Sequence, residues 1–306
     1  MWRVELTPAQ YVDAALTRIV TGGEPEISAR LALRELRAYL ASAAAGRWML
    51  WWARNGAPDS PTATAAAVVI HSPGRTALVL HSSTARGAVS VDALAAVLSA
   101  AAQDALAQGA IMVQVLLEPS AQEDVQAFVQ AGFIRLAELI YLRLSLRGRT
   151  PAPDSAPDGV EFLAYAPATH AAFARAIAAS YAGSLDCPAM EGLRDVEDAI
   201  AAHKVAGVFR PDLWTLATID GEPAGILLLN ENLPAAALEV VYMGVAAKFR
   251  GRHLGRALLA RAAAMARREH FSALCLAVDA ANRYAFTLYL QEGFVETFRK
   301  LAYMRK

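Results

Sequence analysis

Residues 245–259 read VAAKFRGRHLGRALL, and this stretch decides the fold of the second half of the chain. An apolar strand ends, a turn rich in glycine and arginine follows, and an alanine- and leucine-rich helix begins. Such a turn directs backbone N–H groups and the positive end of the helix dipole at one point, which suits a phosphate group. Arg250, Arg252 and Arg256 add side chains that form charge-assisted bonds to an anion. Taken alone, a basic turn of this kind is also typical of a solvated surface loop.

A second motif lies one strand further along, in residues 278–294, which read VDAANRYAFTLYLQEGF. It predicts a strand, then a helix that begins at Asn282, carries Tyr289 and ends at Gly293, the position of a helix C-cap. Residues seven apart lie on one face of a helix, about 10 Å from each other. The sequence therefore places an amide and a phenol along one helix face.

The remainder of the second half alternates strands and helices. The predicted strands are 160–165, 213–219, 225–229, 236–245, 272–278 and 294–304. Predicted helices follow a Thr169 N-cap and cover about 194–205, 253–268 and 282–291. Asp220-Gly221 between two strands indicates a hairpin. This order predicts an α+β (α/β) class, with a mixed sheet flanked by helices.

The first half has the same order of elements. Residues 125–133, VQAFVQAGF, predict a helix that ends in a Gly-Phe pair, and an apolar strand follows at 137–146. Upstream lies another Arg-Gly turn, Arg86-Gly87, after a strand and before a long helix. Chance is the alternative, since such segments recur widely, but four elements in matching order favour a duplication. A Pro- and Gly-rich segment at 148–158 predicts the linker between the copies.

Together the two motifs resemble those of the GNAT superfamily of N-acetyltransferases. The family's turn reads Arg/Gln-x-x-Gly-x-Gly/Ala, and its second motif reads Asn-x-x-Ala-x-x-x-Tyr-x-x-x-Gly-Phe. The second motif is matched at every position, by Asn282, Ala285, Tyr289, Gly293 and Phe294. The turn departs from the pattern at His253, which stands where the family has its first glycine. A Cβ there is tolerated if the residue is already helical with its side chain outward.

The resemblance covers about 159–306, and the first half resembles the same fold in outline, as in tandem proteins of the mycothiol-synthase type. It implies two tandem GNAT-like domains, each a mixed, mostly antiparallel sheet flanked by helices. The implied domains are a degenerate copy at 1–147 and a catalytic domain at 159–306. Aligning the Gly-Phe pairs sets Phe128 against Tyr289 and Ala121 against Asn282, so the first copy lacks the polar groups of the second motif.

For the site, the resemblance implies acetyl-CoA (acyl-CoA) as co-substrate and no metal. The pyrophosphate would lie on the turn residues Arg250, Gly251, Arg252, His253, Leu254, Gly255 and Arg256, and the pantetheine on the backbone of Met243, Gly244 and Val245. Asn282 would bond the cofactor arm, and Tyr289 would protonate or hold the leaving thiolate. The alternative for Tyr289 is a core residue that packs against Phe286.

Three further residues are candidates at the acceptor side. Glu239 is a carboxylate in an apolar strand, where partial burial raises the pKa towards that of a useful base, and the resemblance implies that it deprotonates the amine. Its alternative is an edge-strand residue that faces solvent. Tyr181 and Asp186 fall where the family lines its acceptor pocket, and their alternatives are a helix-stripe residue and a loop cap. His203 is expected to be a satisfied core histidine.

Composition bounds the partners and the compartment. The 306 residues carry 29 basic and 29 acidic side chains, a balance that argues against nucleic acid and against anionic membrane surfaces as partners. Neither a signal peptide nor an apolar stretch of 18 residues is recognisable. Two cysteines, Cys187 and Cys275, without metal-ligand spacing favour a reducing compartment, so a cytoplasmic location is expected.

Two functions from different classes follow. The first is an acetyl-CoA-dependent N-acyltransferase that acts on a primary amine, with catalysis in the second half. The alternative is a non-catalytic acyl-CoA-binding or scaffold protein, which His253 favours and the pair of Asn282 and Tyr289 opposes. The acceptor stays open among small amines, antibiotics, amino acids and protein N-termini, and so do the acyl group and the oligomeric state.

Overall fold

The chain folds into two compact units that exchange a segment. The computed structural model describes residues 2–21, 27–42, 46–55, 64–84, 89–149, 156–190 and 192–306. Unit 1 consists of residues 1–136 and 300–306, and unit 2 consists of residues 137–299. The chain enters unit 2 within one strand and returns to unit 1 within its last strand.

Unit 1 contains the elements β1 (Trp2–Leu6), α1 (Val12–Thr21), α2 (Ile27–Ala41), β2 (Trp48–Asn55), β3 (Ala65–Ser72), β4 (Thr76–His81), α3 (Val91–Ala107), β5 (Met112–Leu117), α4 (Gln122–Gln130) and the start of β6 (Ile134–Ser145). Its sheet has the order β1-β2-β3-β4-β5, followed by the last strand of the chain. Only β4 and β5 pair in parallel among the pairings described there.

Unit 2 contains most of β6 and then the elements β7 (Val160–Ala164), α5 (His170–Tyr181), α6 (Val196–Val205), β8 (Val208–Ile219), β9 (Glu222–Asn232), β10 (Ala237–Val245), α7 (Leu254–Arg268), β11 (Ala273–Asp279), α8 (Arg283–Gln291) and the start of β12 (Val295–Arg305). The strand order is β6-β11-β10-β9-β8-β7, in which β10 and β11 are parallel and their neighbours antiparallel. The predicted mixed, mostly antiparallel sheet flanked by helices is confirmed.

The two halves of the sequence have the same element order. Each half runs strand, two helices, three strands, helix, strand, helix, strand. This agreement across ten elements supports the duplication. The Gly-Phe pairs follow α4 and α8 as predicted, with Gly132 and Gly293 at φ +81° and +87°, a left-handed conformation that favours glycine.

The compact units differ from the predicted linear domains 1–147 and 159–306. The main part of β6 pairs with β11 of unit 2, from Leu139 to Ser145, and the end of β12 pairs with β5 of unit 1, from Leu301 to Arg305. Alternation along a strand shows which face is buried but not which neighbour it pairs with, so the exchange has no local sequence signal. Of the predicted linker 148–158, residues 150–155 lie outside the described part of the chain.

Helices cover both faces of the unit 2 sheet. One core cluster packs α7 and α8 on the sheet through residues such as Leu258, Met265 and Phe294, and the other packs α5 and α6 through Phe173 and Ile200. These clusters hold the ends of α7 and α8 beside β10 and β11, where the two predicted motifs meet.

Local turn chemistry follows the sequence in one case and departs from it in another. Asp220 and Gly221 form the two-residue turn between β8 and β9, with φ of +51° and +75°. Thr169 stands at the N-cap of α5, but its hydroxyl accepts a bond from the Ala166 N–H at 2.8 Å and caps no helix amide. Thr169 therefore occupies the predicted N-cap position, but the predicted capping hydrogen bond is wrong, because the hydroxyl bonds the preceding turn at Ala166 instead of a helix N–H.

Within the described residues, none of the helices combines the length and apolarity needed to cross a lipid bilayer.

The strand exchange predicts that a mutation near the C-terminus destabilises unit 1. Tyr303, 7% exposed, lies in the core cluster of unit 1, so Tyr303→Ala should lower stability by about 2–4 kcal/mol and raise amide exchange most in β5 and α3. Phe294→Ala is the matched control, because Phe294 belongs to the core of unit 2. Hydrogen-exchange mass spectrometry on both variants measures this. Faster amide exchange confined to β11 in the Tyr303 variant would contradict the assignment of the end of β12 to unit 1.

Candidate functional site

The strands β10 and β11 separate soon after they meet. Their parallel pairing joins Leu238 to Leu274 and Glu239 to Cys275, and no further pair is found in the described part of either strand. The register of β10 against β9 also shifts between Val240 and Tyr242, a β-bulge that bends the strand. Beyond Glu239 the two strands therefore leave a gap in the sheet.

A cavity of about 890 Å³ occupies this gap. Its walls are residues 240–245 of β10 and 276–278 of β11, the turn before α7, one side of α8, and the segment that follows α5. The two sequence motifs thus form adjacent walls of one pocket. The pocket lining includes Tyr289 and every residue predicted for cofactor binding except Arg252. The predicted cofactor-binding residues that line the pocket are Met243, Gly244, Val245, Arg250, Gly251, His253, Leu254, Gly255, Arg256 and Asn282.

The turn before α7 has a left-handed residue at its centre. His253 is the N-cap of α7 with φ +58° and ψ +12°, and its side chain makes no capping bond. The condition for tolerating a Cβ at residue 253 is met only in part. The side chain is exposed, but the residue is not helical, and its backbone has the left-handed conformation that only glycine adopts at no steric cost. The N–H groups of Leu254 and Gly255 begin the helix and have no carbonyl partner within it.

The arginines of the turn are engaged by protein groups. The Arg250 guanidinium donates four hydrogen bonds to backbone carbonyl oxygens at 2.9–3.1 Å, those of Val245, Ser180, Ala182 and Gly183. Arg256 pairs with Glu292 at 2.6 Å, and Arg252 lies over the Phe249 ring, outside the pocket lining. Each of the three guanidinium groups thus has a partner within the protein, and those of Arg250 and Arg256 belong to residues that also line the pocket. Arg250 clamps the C-terminal end of α5, where a cation is favourable.

Two glycines of the pocket allow close packing. A Cβ on Gly244 would lie 2.6 Å from the Ser180 hydroxyl oxygen and 2.9 Å from the Tyr242 hydroxyl. A Cβ on Gly255 would lie 3.2 Å from Leu288, where α7 and α8 touch. Gly244 is therefore required for α5 to pack on β10.

The two polar groups of the second motif differ in their surroundings. Asn282 is the N-cap of α8, and its side-chain oxygen accepts a bond from the Ala285 N–H at 3.2 Å. Tyr289 is 6% exposed, packs 5.6 Å from the Phe294 ring, and borders the pocket. Burial, with the nearby negative charge of Asp186, raises the pKa of Tyr289, so this phenol stays protonated at neutral pH.

Glu239 lies just before the bulge and outside the pocket lining. Its Oε2 accepts a hydrogen bond of 2.7 Å from the Asn232 side chain, and the Cys275 thiol is its partner across the strand pair. The carboxylate is half-buried, and its charge raises the pKa of Tyr141. Glu239 thus directly precedes the part of β10 that lines the cavity, which begins at Val240.

Only one of the two residues predicted to bind the acceptor lines the pocket. Asp186 lines the pocket, whereas Tyr181 lies outside the lining and packs edge-on against Tyr242, with ring centroids 5.7 Å apart. The sequence reasoning did not single out Ser180 and Tyr242, whose hydroxyl oxygens are 2.6 Å apart beside the pocket. A serine in a helix and a tyrosine in a strand carry no motif, so only their packing in three dimensions reveals the pair.

His203 and the cysteines take no part in the pocket. Burial lowers the pKa of His203 to about 3, and its Nε2 has no hydrogen-bond partner in the described part of the chain. The histidine thus lies against the core as predicted, although one nitrogen is unsatisfied. Burial raises the pKa of Cys187 and of Cys275 to about 12, so both thiols are protonated and poorly nucleophilic. No group of three or more potential metal ligands is found among the described residues.

Unit 1 has different side chains at the corresponding positions. Asp124 stands where unit 2 has Ala285, and its carboxylate accepts bonds of 2.7–2.8 Å from Ser83 and Thr84 just after β4. Phe128, fully buried, stands in place of Tyr289. These bonds tie the end of β4 to α4, the region that is open in unit 2. The predicted turn at Arg86-Gly87 lies outside the described residues.

Comparisons with known proteins agree with this geometry. Residues 184–294 match the model of the acetyltransferase (GNAT) family. A GCN5-related N-acetyltransferase from Sphaerobacter thermophilus is 21% identical, with a TM-score of 0.62 over 99% of this chain and 95% of its own. A tandem GNAT protein from the clavulanic acid biosynthesis pathway is 16% identical, with a TM-score of 0.54 over 100% of this chain and 98% of its own. A GCN5-related glucosamine N-acetyltransferase region of a fungal multi-domain β-N-acetylglucosaminidase is 15% identical, with a TM-score of 0.61 over 99% of this chain and 38% of its own.

The solved structures, all below 25% identity, show the GNAT fold, and the family model locates it in the sequence of the second half. The segment that matches the acetyltransferase (GNAT) family model contains β10, β11 and the gap between them. No curated protein sequence matches the chain.

The left-handed His253 predicts an unusual response to substitution. His253→Gly should stabilise the protein by up to about 1 kcal/mol, because relief of the left-handed strain, roughly 1–2 kcal/mol, exceeds the added entropy of the unfolded chain. His253→Val should instead destabilise it, since a β-branched residue fits this conformation poorly. Urea denaturation of the three proteins measures the order of stability. Equal midpoints for the Gly and Val variants would show that residue 253 is not left-handed.

Proposed function

We propose that the protein is an acetyl-CoA-dependent N-acyltransferase that transfers an acetyl (acyl) group to a primary amine in unit 2. The observation that carries the proposal is that both family motifs line one pocket at a gap in the sheet. The location of the domain in the family match, residues 184–294, supports catalysis in this unit. A cytoplasmic location and the absence of nucleic-acid and membrane partners stay predictions from composition.

The pocket suits a CoA thioester. The start of α7 presents unpaired N–H groups and the positive end of the helix dipole, which fit the pyrophosphate without help from the engaged arginines. The backbone of Met243 to Val245 borders the gap, so its N–H and C=O groups can bond the amides of the pantetheine as a neighbouring strand would.

The residues beside the gap supply the groups that acyl transfer needs. Bound acetyl-CoA supplies a thioester, whose carbonyl carbon forms a bond to the amine nitrogen while its bond to sulfur breaks. Glu239, held by Asn232, takes the proton that the amine loses, through a water because it lies outside the lining. Tyr289, held protonated by its surroundings, gives a proton to the departing sulfur, so the products are an amide and the CoA thiol. Glu239 then releases its proton to solvent and Tyr289 regains one from solvent, which restores both side chains. Asn282 borders the same pocket and bonds the cofactor arm.

A non-catalytic acyl-CoA-binding or scaffold protein is the second candidate. The strained His253 at the phosphate turn favours it, because a Cβ there opposes close approach of an anion to the backbone. The protonated Tyr289 on the pocket wall opposes it, because binding alone has no use for a buried phenol.

Thiol release from acetyl-CoA against a panel of primary amines tests the function, with Tyr289→Phe as the key variant. Wild-type protein should release thiol with at least one amine, and the variant should be about 10²–10⁴-fold slower while its acetyl-CoA affinity and stability stay near wild type. The ring remains packed, so a loss of rate reports the hydroxyl group. Tight acetyl-CoA binding with no turnover on the whole panel would favour the scaffold candidate, and equal rates would remove Tyr289 from the chemistry.

Glu239→Gln separates proton transfer from cofactor binding. The maximal rate should fall about 10²–10⁴-fold, with acetyl-CoA affinity unchanged, because the carboxylate acts on the amine and lies outside the pocket lining. Glu161→Gln, on an exposed position of β7, is the control and should keep the wild-type rate. An unchanged rate for Glu239→Gln between pH 6 and 9 would mean that another group or water accepts the proton.

A further inference from the structure

Asp186 is held in the pocket wall by the end of β11. Its Oδ1 accepts a hydrogen bond of 3.2 Å from the Asp279 N–H, and the loop that carries it borders the cavity from residue 183 to 186. The Asp279 carboxylate is itself satisfied by the N–H groups of Cys187 and Ala281, at 3.1 and 2.9 Å. The Asp186 carboxylate is thus attached to the buried end of β11.

Aromatic hydroxyl groups surround this carboxylate. Its charge raises the pKa of Tyr181 on α5, of Tyr242 on β10 and of Tyr289 on α8, so it lies within electrostatic reach of all three phenols. Burial of Asp186, together with the nearby Asp279 charge, raises its own pKa, although the side chain is open to the cavity. The side chain is exposed where it borders the cavity, so a ligand in the pocket can reach the carboxylate.

No cation of the protein pairs with Asp186 in the parts of the chain that are described. Two arginines act electrostatically on its tyrosine neighbours, and both have other partners: Arg194 bonds the Tyr181 hydroxyl, and Arg250 bonds four carbonyl oxygens. A partly desolvated carboxylate without a cation is unfavourable unless a ligand supplies one. Phenol rings add to the attraction for a cation.

We propose that Asp186 binds the acceptor in its ammonium form and so makes the enzyme selective for amines that are cationic at the working pH. The inference rests on the proposed function, because it assigns the acceptor to the same pocket. The ammonium pairs with the Asp186 carboxylate and then releases one proton to solvent, which produces the neutral amine nucleophile. The second proton, lost as the amide forms, goes to Glu239 as in the proposed function. Aliphatic amines of the lysine type, with a pKa of about 10, fit this requirement, and weakly basic amines do not.

Two small amines of similar size test the charge requirement at pH 9. n-Propylamine is then mostly ammonium, whereas glycinamide, an α-amine with a pKa near 8, is mostly neutral. NMR titration of each amine onto the CoA-saturated full chain gives the two dissociation constants. Wild type should bind n-propylamine more tightly than glycinamide, and Asp186→Asn should weaken n-propylamine by about 10- to 100-fold but glycinamide by less than about 3-fold.

Two further variants serve as controls. Asp186→Glu keeps the charge and should retain the preference for n-propylamine, and Asp220→Asn makes the same chemical change on the exposed β8–β9 turn and should behave as wild type. Acetyl-CoA affinity, measured in parallel, reports whether each variant keeps its fold. Equal weakening of both amines in Asp186→Asn, or no preference in wild type, would overturn the proposal.

Thiol release in the same samples separates the two proposals. Charge-selective binding that depends on Asp186 without any thiol release would contradict the proposed function and support the anchor. Thiol release that depends neither on amine charge nor on Asp186→Asn would support the proposed function and contradict the role of Asp186 as an ammonium anchor.

Discussion

The end of the pairing between β10 and β11 after Glu239 is the constraint on which the site depends. A strand that leaves its neighbour exposes backbone N–H and C=O groups, and these need other partners. The bulge at Val240–Tyr242 bends β10 away, while its antiparallel pairing with β9 continues to Val245 and keeps the strand in the sheet. The exposed edge is thus stable as protein structure and remains available to a ligand with amide groups of its own.

Arg250 connects this gap to the segment that follows α5. Its four bonds to carbonyl oxygens join the end of β10 to the end of α5, so one guanidinium holds the turn before α7 and the loop that carries Asp186. The positive charge of Arg250 is consequently compensated by carbonyl oxygens of the protein. In the proposed function, binding of the pyrophosphate therefore relies on the N–H groups at the start of α7, which makes the left-handed conformation of His253 more consequential.

The sequence predicted what depends on local patterns. Helical spacing placed Asn282 and Tyr289 on one face, and both line the pocket. Long-range features had no such signal: the carbonyl partners of Arg250 include residues 67–70 positions away, and the exchange of β6 and β12 depends on which strand edges meet. For His253, the motif marked the departure from glycine, but only the backbone showed that its φ is positive. The sequence named Asp186, and its isolation from cations became visible only in the fold.

Hydrogen exchange on the full chain with and without acetyl-CoA tests the central claim most directly, because it locates the cofactor without knowledge of the acceptor. The account predicts slower exchange in residues 241–256 and 282–289, around the gap between β10 and β11, with no change in residues 76–84 and 121–128 of unit 1. Protection in the unit 1 segments, or binding that leaves the β10 edge unprotected, would contradict the assignment of the acyl-CoA site to unit 2.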